Sequence, residues 1–283
     1  MSKVFVTGGA GFIGRNLIEL LIGEGYEVVS YDNYSTGSVK NHISGVEYIE
    51  GDINEINKIQ DLNYKFCFHL AAQSRVQPSF DNPPQTFIDN VSGTLSVIEW
   101  TKKSKIKLIY AGSSSRHHDH SSSPYATTKF LGEELCKLYK KSFNQNIEIA
   151  RFYNVYGPYE PVDVKFGNVI GIWRAKINNN ESIPIVGDGD QRRDFTHVKD
   201  IVDGLLRVAN SEKSNSDAWE LGTGVNYSIN ELSIMFKEKF DVNSYYIEEQ
   251  PGNFRETIRI NNDCIDELGW NPQDRLSNYI NNL

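Results

Sequence analysis

A glycine-rich turn near the N-terminus limits the folds open to this chain more than any other feature. It reads T-G-G-A-G-F-I-G, follows the apolar run Lys3–Thr7 and precedes an apolar helical spacing over residues 17–22. Gly8, Gly11 and Gly14 therefore stand between a strand and a helix, which is the context that a dinucleotide-binding turn requires. There the first glycine makes the turn, the second admits the pyrophosphate, and the third lets the helix pack on the strand. A tight turn without a ligand is the alternative interpretation of these glycines alone.

The next predicted strand ends in a carboxylate. Glu27–Asp32 reads E-V-V-S-Y-D, so Asp32 lies at the end of the strand that follows the glycine turn and its helix. An acid at this point accepts hydrogen bonds from the adenine ribose hydroxyls and repels a 2′-phosphate, which favours NAD over NADP. Taken alone, Asp32 is equally compatible with an ordinary turn residue at a strand end.

Strands and helices alternate through the first half of the chain. Several of the strands are continuously apolar, which indicates a parallel sheet covered on both faces. We therefore predict an α/β fold, a Rossmann-type doubly wound parallel sheet, in which ligands bind at the carboxyl ends of the strands. The further predicted strands cover residues 46–50, 65–70, 106–110 and 147–152, with helices over 84–103 and from Pro124 onward.

A tyrosine and a lysine on the helix after Pro124 are candidate catalytic residues. Tyr125 and Lys129 have i,i+4 spacing and share one helix face, and Ser113 follows the strand over 106–110. An ammonium about 4 Å from the phenol, at an effective dielectric near 20, contributes roughly 4 kcal/mol, or about three pKa units. Lys129 is thus expected to bring the pKa of Tyr125 towards the range of a general base. The Y-x-x-x-K pattern by itself also occurs on solvated helix faces.

Composition excludes several classes of function. The net charge is −8, with 39% hydrophobic and 23% charged residues, which argues against a nucleic-acid or anionic-membrane partner. No apolar run approaches the roughly 18 residues of a membrane span, and the chain enters a predicted strand at once, without the pattern of a signal peptide. Cys67, Cys136 and Cys264 lie on apolar segments without metal spacing, which is typical of free thiols in the cytoplasm.

A set of motifs in fixed order resembles the extended short-chain dehydrogenase/reductases. The motifs are T-G-G-A-G-F-I-G, G-D-I, H-L-A-A-Q, N-V-x-G-T, the serine cluster from Ser113, Y-x-x-x-K and R-F-Y-N-V-Y-G-P. Within that family the chain most resembles the nucleotide-sugar epimerases, in particular UDP-glucose and UDP-N-acetylglucosamine 4-epimerases. The resemblance covers nearly the whole chain. It implies an NAD-binding domain over residues 1–154 plus 200–224 and a smaller C-terminal substrate-binding lobe over 155–199 plus 225–283.

The resemblance also implies site residues. Catalysis would fall to Tyr125, Lys129 and Ser113, with Ser114 as the fallback hydroxyl. The residues expected to bind NAD are Gly8, Gly11, Phe12, Ile13, Gly14, Asp32, Asn33, Asp52, Ile53, Leu70, Ala71, Ala72, Asn90, Tyr125, Lys129 and Phe152. Those expected to bind a nucleotide-sugar substrate are Ser74, Ser113, Ser114, Tyr125, Asn154, Asn168, Val169, Arg193, Arg255 and Thr257.

The implied reaction is 4-epimerisation of UDP-hexoses, glucose and galactose and also their N-acetyl forms, through a transient 4-keto intermediate. A 4,6-dehydratase, a decarboxylase, a 4-keto reductase and a non-catalytic NAD-binding protein are the alternatives. Dehydratases place Asp-Glu after the active-site hydroxyl and decarboxylases place a Glu nearby, whereas this chain has Ser114 and Ser115. Reduction is disfavoured by Asp32, because reductases tend to use NADP. These differences favour the epimerase.

Several positions depart from the family pattern. Gln250 replaces a basic residue before the Pro-Gly pair, with Arg255 as a possible substitute, and Ser74 stands where some epimerases have a lysine. The connection over residues 116–124 is short and contains H-H-D-H, whose spacing does not aim the side chains at one metal ion. We therefore expect no metal site. Thr257 replaces a tyrosine that faces the C2 substituent, which predicts room for an N-acetyl group.

The family also implies an assembly. The helix over residues 84–103 and the Tyr125 helix would pair with their copies in a second subunit, which predicts a homodimer. The residues offered for the two faces are Phe87, Leu95, Ile98 and Trp100, and Phe130, Leu135, Leu138 and Tyr139.

Overall fold

The computed structural model describes residues 2–61 and 63–283. Eleven strands are present in these residues: β1 (Lys3–Thr7), β2 (Glu27–Asp32), β3 (Glu47–Glu50), β4 (Phe66–His69), β5 (Lys107–Ser113), β6 (Ile147–Phe152), β7 (Ile183–Val186), β8 (Arg192–Asp194), β9 (Trp219–Leu221), β10 (Asn226–Ser228) and β11 (Ser244–Ile247). The α-helices are α1 (Phe12–Gly23), α2 (Val76–Asp81), α3 (Pro83–Phe87), α4 (Gly93–Lys103), α5 (Pro124–Phe143), α6 (Val169–Asn178), α7 (Val198–Asn210), α8 (Ile229–Phe240), α9 (Asp263–Leu268) and α10 (Leu276–Asn281).

The main sheet is parallel and doubly wound. Its seven strands run in the order β3-β2-β1-β4-β5-β6-β9, and every neighbouring pair is parallel. Strand order reverses direction between β1 and β4, the type of point at which open α/β sheets bind ligands. The predicted Rossmann-type fold is confirmed. The seventh strand comes from the segment 200–224, after the chain has already built part of the second lobe.

Alternate residues of the central strand explain why both faces of the sheet are buried. Val4 and Val6 pack with Leu17 and Leu21 of α1 on one face, whereas Phe5 packs on the other face with Trp100 of α4. Because side chains of a strand alternate between the two faces, an apolar strand of this kind needs a helical layer on each side.

The second lobe has its own smaller core. Strand β7 pairs in parallel with β11, and β8 pairs antiparallel with β10. Trp173 of α6 meets Phe236 of α8 edge-on, with ring centroids 5.2 Å apart. Residues of this region and residues at the carboxyl ends of the main strands line one cavity.

Two predicted elements differ in detail from the structure. Strand β5 continues to Ser113, where a shorter strand over 106–110 was expected, because Ala111, Gly112 and Ser113 pair with β6. The predicted helix over 84–103 begins at Pro83 and contains a π turn over Ile88–Ser92, which joins α3 to α4. Such turns often occur at functional sites.

None of the described helices is long and apolar enough to cross a membrane. The three cysteines are free and buried.

Candidate active site

A cavity of about 980 Å³ lies over the carboxyl ends of the main strands. One part is lined by the glycine turn and the end of β2, the middle by the serine cluster and Tyr125, and the rest by residues of the second lobe such as Arg193 and Thr257. The cavity therefore extends from the predicted dinucleotide site to the predicted substrate lobe without a break.

The glycine turn fits a phosphate-binding role. Gly8 has a φ of +73°, and a Cβ there would lie 2.7 Å from the backbone nitrogen of Ala71. A Cβ on Gly14 would lie 2.2 Å from the carbonyl oxygen of Gly8. Helix α1 follows without any side-chain cap at Gly11, so its first N–H groups stay free to meet an anion. Phe12 and Ile13, at the start of the helix, also line the cavity.

Asp32 is held rigidly beside this turn. Its carboxylate accepts hydrogen bonds from the backbone nitrogens of Ala10 at 3.0 Å and Tyr34 at 2.8 Å, and the residue is 8% exposed. Burial raises the pKa of Asp32, and the two N–H donors partly offset that effect. Asn33 lies beside it in the cavity wall. The turn and the fixed acid suit the phosphates and the ribose of a dinucleotide.

Other predicted cofactor residues divide into two groups. Ile53, Leu70, Ala71, Ala72 and Phe152 line the cavity. Asp52 and Asn90 are not part of its wall.

The side chains of Asp52 and Asn90 instead form hydrogen bonds with backbone groups behind the cavity wall. The Asp52 carboxylate caps a short 3₁₀ helix by accepting from the Asn54 backbone nitrogen at 2.8 Å. The Asn90 side chain, in the π turn, accepts from the Gln73 backbone nitrogen at 2.7 Å and donates to Thr128 Oγ1 at 3.0 Å. Direct contact of these two side chains with a cofactor stays a prediction that the geometry does not favour.

Tyr125 and Ser113 meet in the middle of the cavity. Ser123 caps α5 by accepting from the Ala126 backbone nitrogen at 3.1 Å, which starts the helix at Pro124 and fixes Tyr125 in its first turn. Tyr125 Oη donates to Ser113 Oγ at 3.3 Å. Ser115 Oγ also donates to Ser113 Oγ, at 2.9 Å. The hydroxyls of Tyr125 and Ser113 are thus together, as the sequence predicted, with Ser114 beside them in the cavity wall.

The expected effect of Lys129 on the pKa of Tyr125 is not supported by the contacts of Lys129 in this structure. Lys129 Nζ donates to the carbonyl oxygen of Ala111 at 2.9 Å, and burial lowers the pKa of Lys129 to about 8. Burial raises the pKa of Tyr125, and the groups that oppose this are first the hydrogen bond with Ser113 and then the charge of Arg75. The i,i+4 spacing places Lys129 on the same helix face as Tyr125, but the ammonium of Lys129 donates its hydrogen bond to the Ala111 carbonyl oxygen.

Arg75 is a functional candidate that the sequence reasoning missed. It lines the cavity at the start of α2, immediately after Ser74, and its Nε donates to the carbonyl oxygen of Phe166 at 2.7 Å. Burial lowers the pKa of its guanidinium. The available signal was a cation two positions after the H-L-A-A-Q motif, next to Ser74.

The second lobe contributes half of the predicted substrate residues, and Asn154 lies at its border. Asn168 Oδ1 caps α6 by accepting from the Gly171 backbone nitrogen at 2.8 Å, and Val169 is the first residue of that helix. Asn154 Nδ2 donates to Thr257 Oγ1 at 3.0 Å. All four residues line the cavity, as does Ser74.

Arg193 is a half-buried cation in this half of the cavity. It donates to the carbonyl oxygen of Arg192 at 2.8 Å, and burial alone lowers its pKa to about 10. A guanidinium that carries a desolvation cost without a carboxylate beside it is suited to an anionic ligand.

Arg255 lies elsewhere. Its side chain is 66% exposed and forms an ion pair with Asp188 at 2.8 Å. It borders a separate cavity of about 390 Å³. The acidic loop that contains Asp188 holds the arginine away from the main cavity, so that its predicted substrate contact is not supported by this arrangement.

The histidine-rich connection does not converge on one point. His117 Nε2 pairs with Glu220 Oε1 at 2.9 Å, His118 stacks on Phe254, and His120 stacks on Phe130. Within residues 2–61 and 63–283, no group of three or more His, Cys, Asp or Glu side chains could hold a metal ion.

Comparisons with known proteins agree with this site. The family model described as NAD dependent epimerase/dehydratase family matches residues 4–222. A putative UDP-glucose 4-epimerase of Methanocaldococcus jannaschii is 33% identical over 296 residues, which cover 98% of this chain and 95% of that protein.

Solved structures show the same likeness. The crystal structure of UDP-glucose 4-epimerase with UDP-glucose from Thermotoga maritima has a TM-score of 0.91 and 27% identity, covering 99% of this chain and 96% of that one. UDP-N-acetylglucosamine 4-epimerase from Methanobrevibacter ruminantium, in complex with UDP-N-acetylmuramic acid, has a TM-score of 0.90 and 27% identity, with coverage of 99% and 96%. On its motifs, fold and similarity, the chain belongs to the NAD-dependent epimerase/dehydratase family.

Proposed function

We propose that this protein is an NAD-dependent 4-epimerase of UDP-hexoses that works through a transient 4-keto sugar. The observation that carries the proposal is the hydrogen bond of Tyr125 to Ser113, in a cavity that joins the glycine turn to Arg193. An acid/base hydroxyl lies between a site for a dinucleotide and a site for an anionic ligand. This is the arrangement that reversible oxidation of a sugar-nucleotide alcohol requires.

The protein's own groups supply binding and proton transfer. Gly8, Gly11, Gly14 and Asp32 would hold NAD, which when bound would supply a reversible two-electron oxidant. In its ionised form, Tyr125 accepts the proton of the C4 hydroxyl as that carbon is oxidised, and it returns this proton when the alcohol is re-formed on the other face. Ser113 holds the same hydroxyl through its Oγ.

The serine cluster supports epimerisation over the other reactions of the family. Dehydration and decarboxylation require an additional acid or base near C5 or the sugar carboxylate. The positions after Ser113 are occupied by Ser114 and Ser115, and Ser115 is engaged with Ser113 itself. The nearby Glu133 is paired with Arg151 at 2.8 Å in a buried ion pair.

We extend the proposed substrates to N-acetylated UDP-hexosamines. Thr257 is 5% exposed and lines the cavity. Its hydroxyl oxygen accepts a hydrogen bond from the side-chain amide of Asn154. A threonine occupies less of the cavity than a tyrosine, and discrimination by such steric differences is typically worth ~1–3 kcal/mol.

The proposed assembly is a homodimer. Phe87, Leu95 and Leu138 are 38%, 37% and 51% exposed on the helices expected to pair with a second copy. Ile98 and Trp100 do not belong to that surface, contrary to the sequence-based expectation, because they are 0% and 1% exposed in the core under the sheet. Light scattering at micromolar concentration should give twice 32.2 kDa, and a 32.2 kDa particle would contradict the dimer.

The cytoplasm is the proposed compartment. Three buried free thiols support it, because reduced cysteines are typical of that environment.

Incubation with UDP-glucose, UDP-galactose and their N-acetyl forms tests the proposed reaction. Each sugar is supplied with NAD, and the products are separated by chromatography. The C4 epimer of each substrate is expected. A 4,6-dehydrated or reduced product would contradict the epimerase, and the absence of any product would support a non-catalytic NAD-binding protein.

A further inference from the structure

Three donors converge on the hydroxyl oxygen of Ser113. The backbone nitrogen of Ser115 lies 3.2 Å from Ser113 Oγ, and Ser115 Oγ lies 2.9 Å from it. Tyr125 Oη lies 3.3 Å from the same oxygen, and Ser113 is the only described side chain that is hydrogen-bonded to this phenol. A hydroxyl oxygen has two lone pairs and one proton of its own. Because three donors exceed two lone pairs, Ser113 must itself be the donor in one of these contacts.

The backbone determines the direction of one contact. Ser113 ends β5 and caps the 3₁₀ turn over Ser114–His117, so the Ser115 N–H group always donates to Ser113 Oγ. The remaining lone pair and the proton of Ser113 are then divided between the hydroxyls of Ser115 and Tyr125, whose protons can rotate.

The ionisation of Tyr125 decides between the two arrangements that remain. A neutral phenol donates to Ser113, and Ser113 then donates to Ser115. An ionised phenol can only accept, so Ser113 donates to Tyr125 and Ser115 donates to Ser113. The two serines therefore form a short chain of hydroxyls whose direction reverses when Tyr125 loses its proton.

Ser115 is well placed to stabilise the second arrangement. Its side chain is buried in the cavity wall, at 5% exposure, and its hydroxyl has no other hydrogen bond among the described residues. Lys129 donates to the carbonyl oxygen of Ala111 and not to the phenol. Hydrogen bonds to a charged group are stronger than those between neutral groups, and successive bonds in a chain strengthen one another. The chain from Ser115 through Ser113 thus stabilises ionised Tyr125 more than neutral Tyr125.

We propose that Ser115 is a positioning residue that makes Ser113 a hydrogen-bond donor. In the free protein Ser113 donates to ionised Tyr125. In the substrate complex Tyr125 takes the proton of the C4 hydroxyl, and Ser113 donates to the C4 oxygen while both serines keep their own protons. The role towards the C4 oxygen rests on the proposed 4-epimerase function, whereas the role towards Tyr125 does not require substrate.

The ionisation of Tyr125 in the free protein tests this proposal without turnover. Near-ultraviolet absorbance of tyrosinate is followed as the pH rises, and the spectrum of the Tyr125→Phe variant is subtracted so that only Tyr125 is counted. The same difference is measured in the Ser115→Ala background, where the midpoint should lie higher by roughly 0.5 to 1 pH unit, a 3- to 10-fold lower ionisation constant. Ser115→Cys, with a similar size and a weak S–H donor, should shift the midpoint in the same direction even if Ser115→Ala does not fold. Ser115→Thr keeps the hydroxyl and should titrate as the wild type does.

The pH dependence of kcat/KM for UDP-glucose separates this role from a structural one. Where the ionised fraction of Tyr125 limits the rate, Ser115→Ala should lower kcat/KM roughly 3- to 10-fold, and the loss should disappear at high pH. The charged groups near Tyr125 stay the same in these variants, namely Arg75 at the start of α2 and Lys129 and Glu133 on α5. An equal loss at every pH would overturn the proposal.

Ser233→Ala is the control for the loss of a buried hydroxyl. Ser233 is 3% exposed in α8, away from the cavity, and its hydroxyl donates to the Asn230 carbonyl oxygen at 2.9 Å. This variant should leave the midpoint and the pH profile unchanged. An unshifted midpoint in folded Ser115→Ala or Ser115→Cys would overturn the proposal. A shifted midpoint in a protein that turns over no UDP-hexose would support the role of Ser115 and contradict the proposed function.

Discussion

Replacement of Thr257 by tyrosine should narrow the range of substrates. Thr257 is 5% exposed in the cavity wall, and its hydroxyl accepts from Asn154 Nδ2 at 3.0 Å. Its backbone is fixed by two bonds to β8, from the Thr257 nitrogen to the Arg192 oxygen and from the Asp194 nitrogen to the Thr257 oxygen, each 3.0 Å. The larger ring therefore cannot be accommodated by a backbone shift and must occupy part of the cavity.

Two effects of different size follow from this substitution. Loss of the hydrogen bond to Asn154 should cost about 1 kcal/mol, or roughly fivefold in kcat/KM, on every substrate. The ring should additionally clash with an N-acetyl group, at ~1–3 kcal/mol, or roughly 10- to 100-fold. We therefore expect kcat/KM for UDP-N-acetylglucosamine to fall at least tenfold more than kcat/KM for UDP-glucose.

Thr257→Val separates the two effects, because it removes the hydroxyl and keeps the size. It should reduce turnover of both sugars by the same modest factor. Steady-state kinetics of both variants on both substrates completes the comparison. Equal losses for the two sugars in Thr257→Tyr would show that Thr257 does not control access of the C2 substituent.

Three further predictions concern Tyr125, Asp32 and His69. Tyr125→Phe should lower turnover by roughly 10²-fold or more, while NAD binding and thermal unfolding stay close to wild type. Ser113→Ala should lower turnover less. Near-normal turnover of Tyr125→Phe would show that Tyr125 does not take part in the mechanism. Asp32→Ala should reduce the preference for NAD over NADP in a binding titration by roughly tenfold, about 1.4 kcal/mol, because the like charge facing a 2′-phosphate is gone; an unchanged ratio would refute that role. His69 is 2% exposed and lies between Thr7 and Thr94, and burial lowers its pKa to about 3. Below pH 6.5 the unfolded chain therefore binds a proton at His69 that the folded protein does not bind. Stability should therefore fall as pH falls, by about 2 kcal/mol from His69 between pH 7 and pH 5, and denaturant unfolding of His69→Gln should lack this part of the pH dependence.

Local patterns in the sequence were sufficient for the fold and for the positions of the glycine turn and Asp32 in the cavity wall. The glycine turn and Asp32 each follow directly from a strand end, so their positions are determined by a few neighbouring residues. The pairing of Tyr125 with Ser113 was also predictable, because β5 and α5 are consecutive in the chain and α5 begins at the edge of the sheet where β5 ends.

Contacts between distant segments were not predictable in this way. Lys129 was expected to act on Tyr125, but the Ala111 carbonyl holds its ammonium. Arg255 was expected in the substrate cavity, yet its exposed side chain pairs with Asp188, 67 positions earlier in the chain. The side chain of Arg75 is held by a hydrogen bond to the carbonyl oxygen of Phe166, which lies 91 positions later in the chain. In each case a long side chain can reach several partners, and the tertiary structure determines which of them it contacts.

The fate of a deuterium atom at C4 distinguishes 4-epimerisation from the other reactions of the family. UDP-glucose labelled with deuterium at C4 is incubated with the protein and NAD, and the product is examined by NMR and mass spectrometry. We predict UDP-galactose with the deuterium still at C4, because the same atom leaves and returns to that carbon within one site. Deuterium at C6 of a 4-keto-6-deoxy product, or its loss from the sugar, would contradict 4-epimerisation.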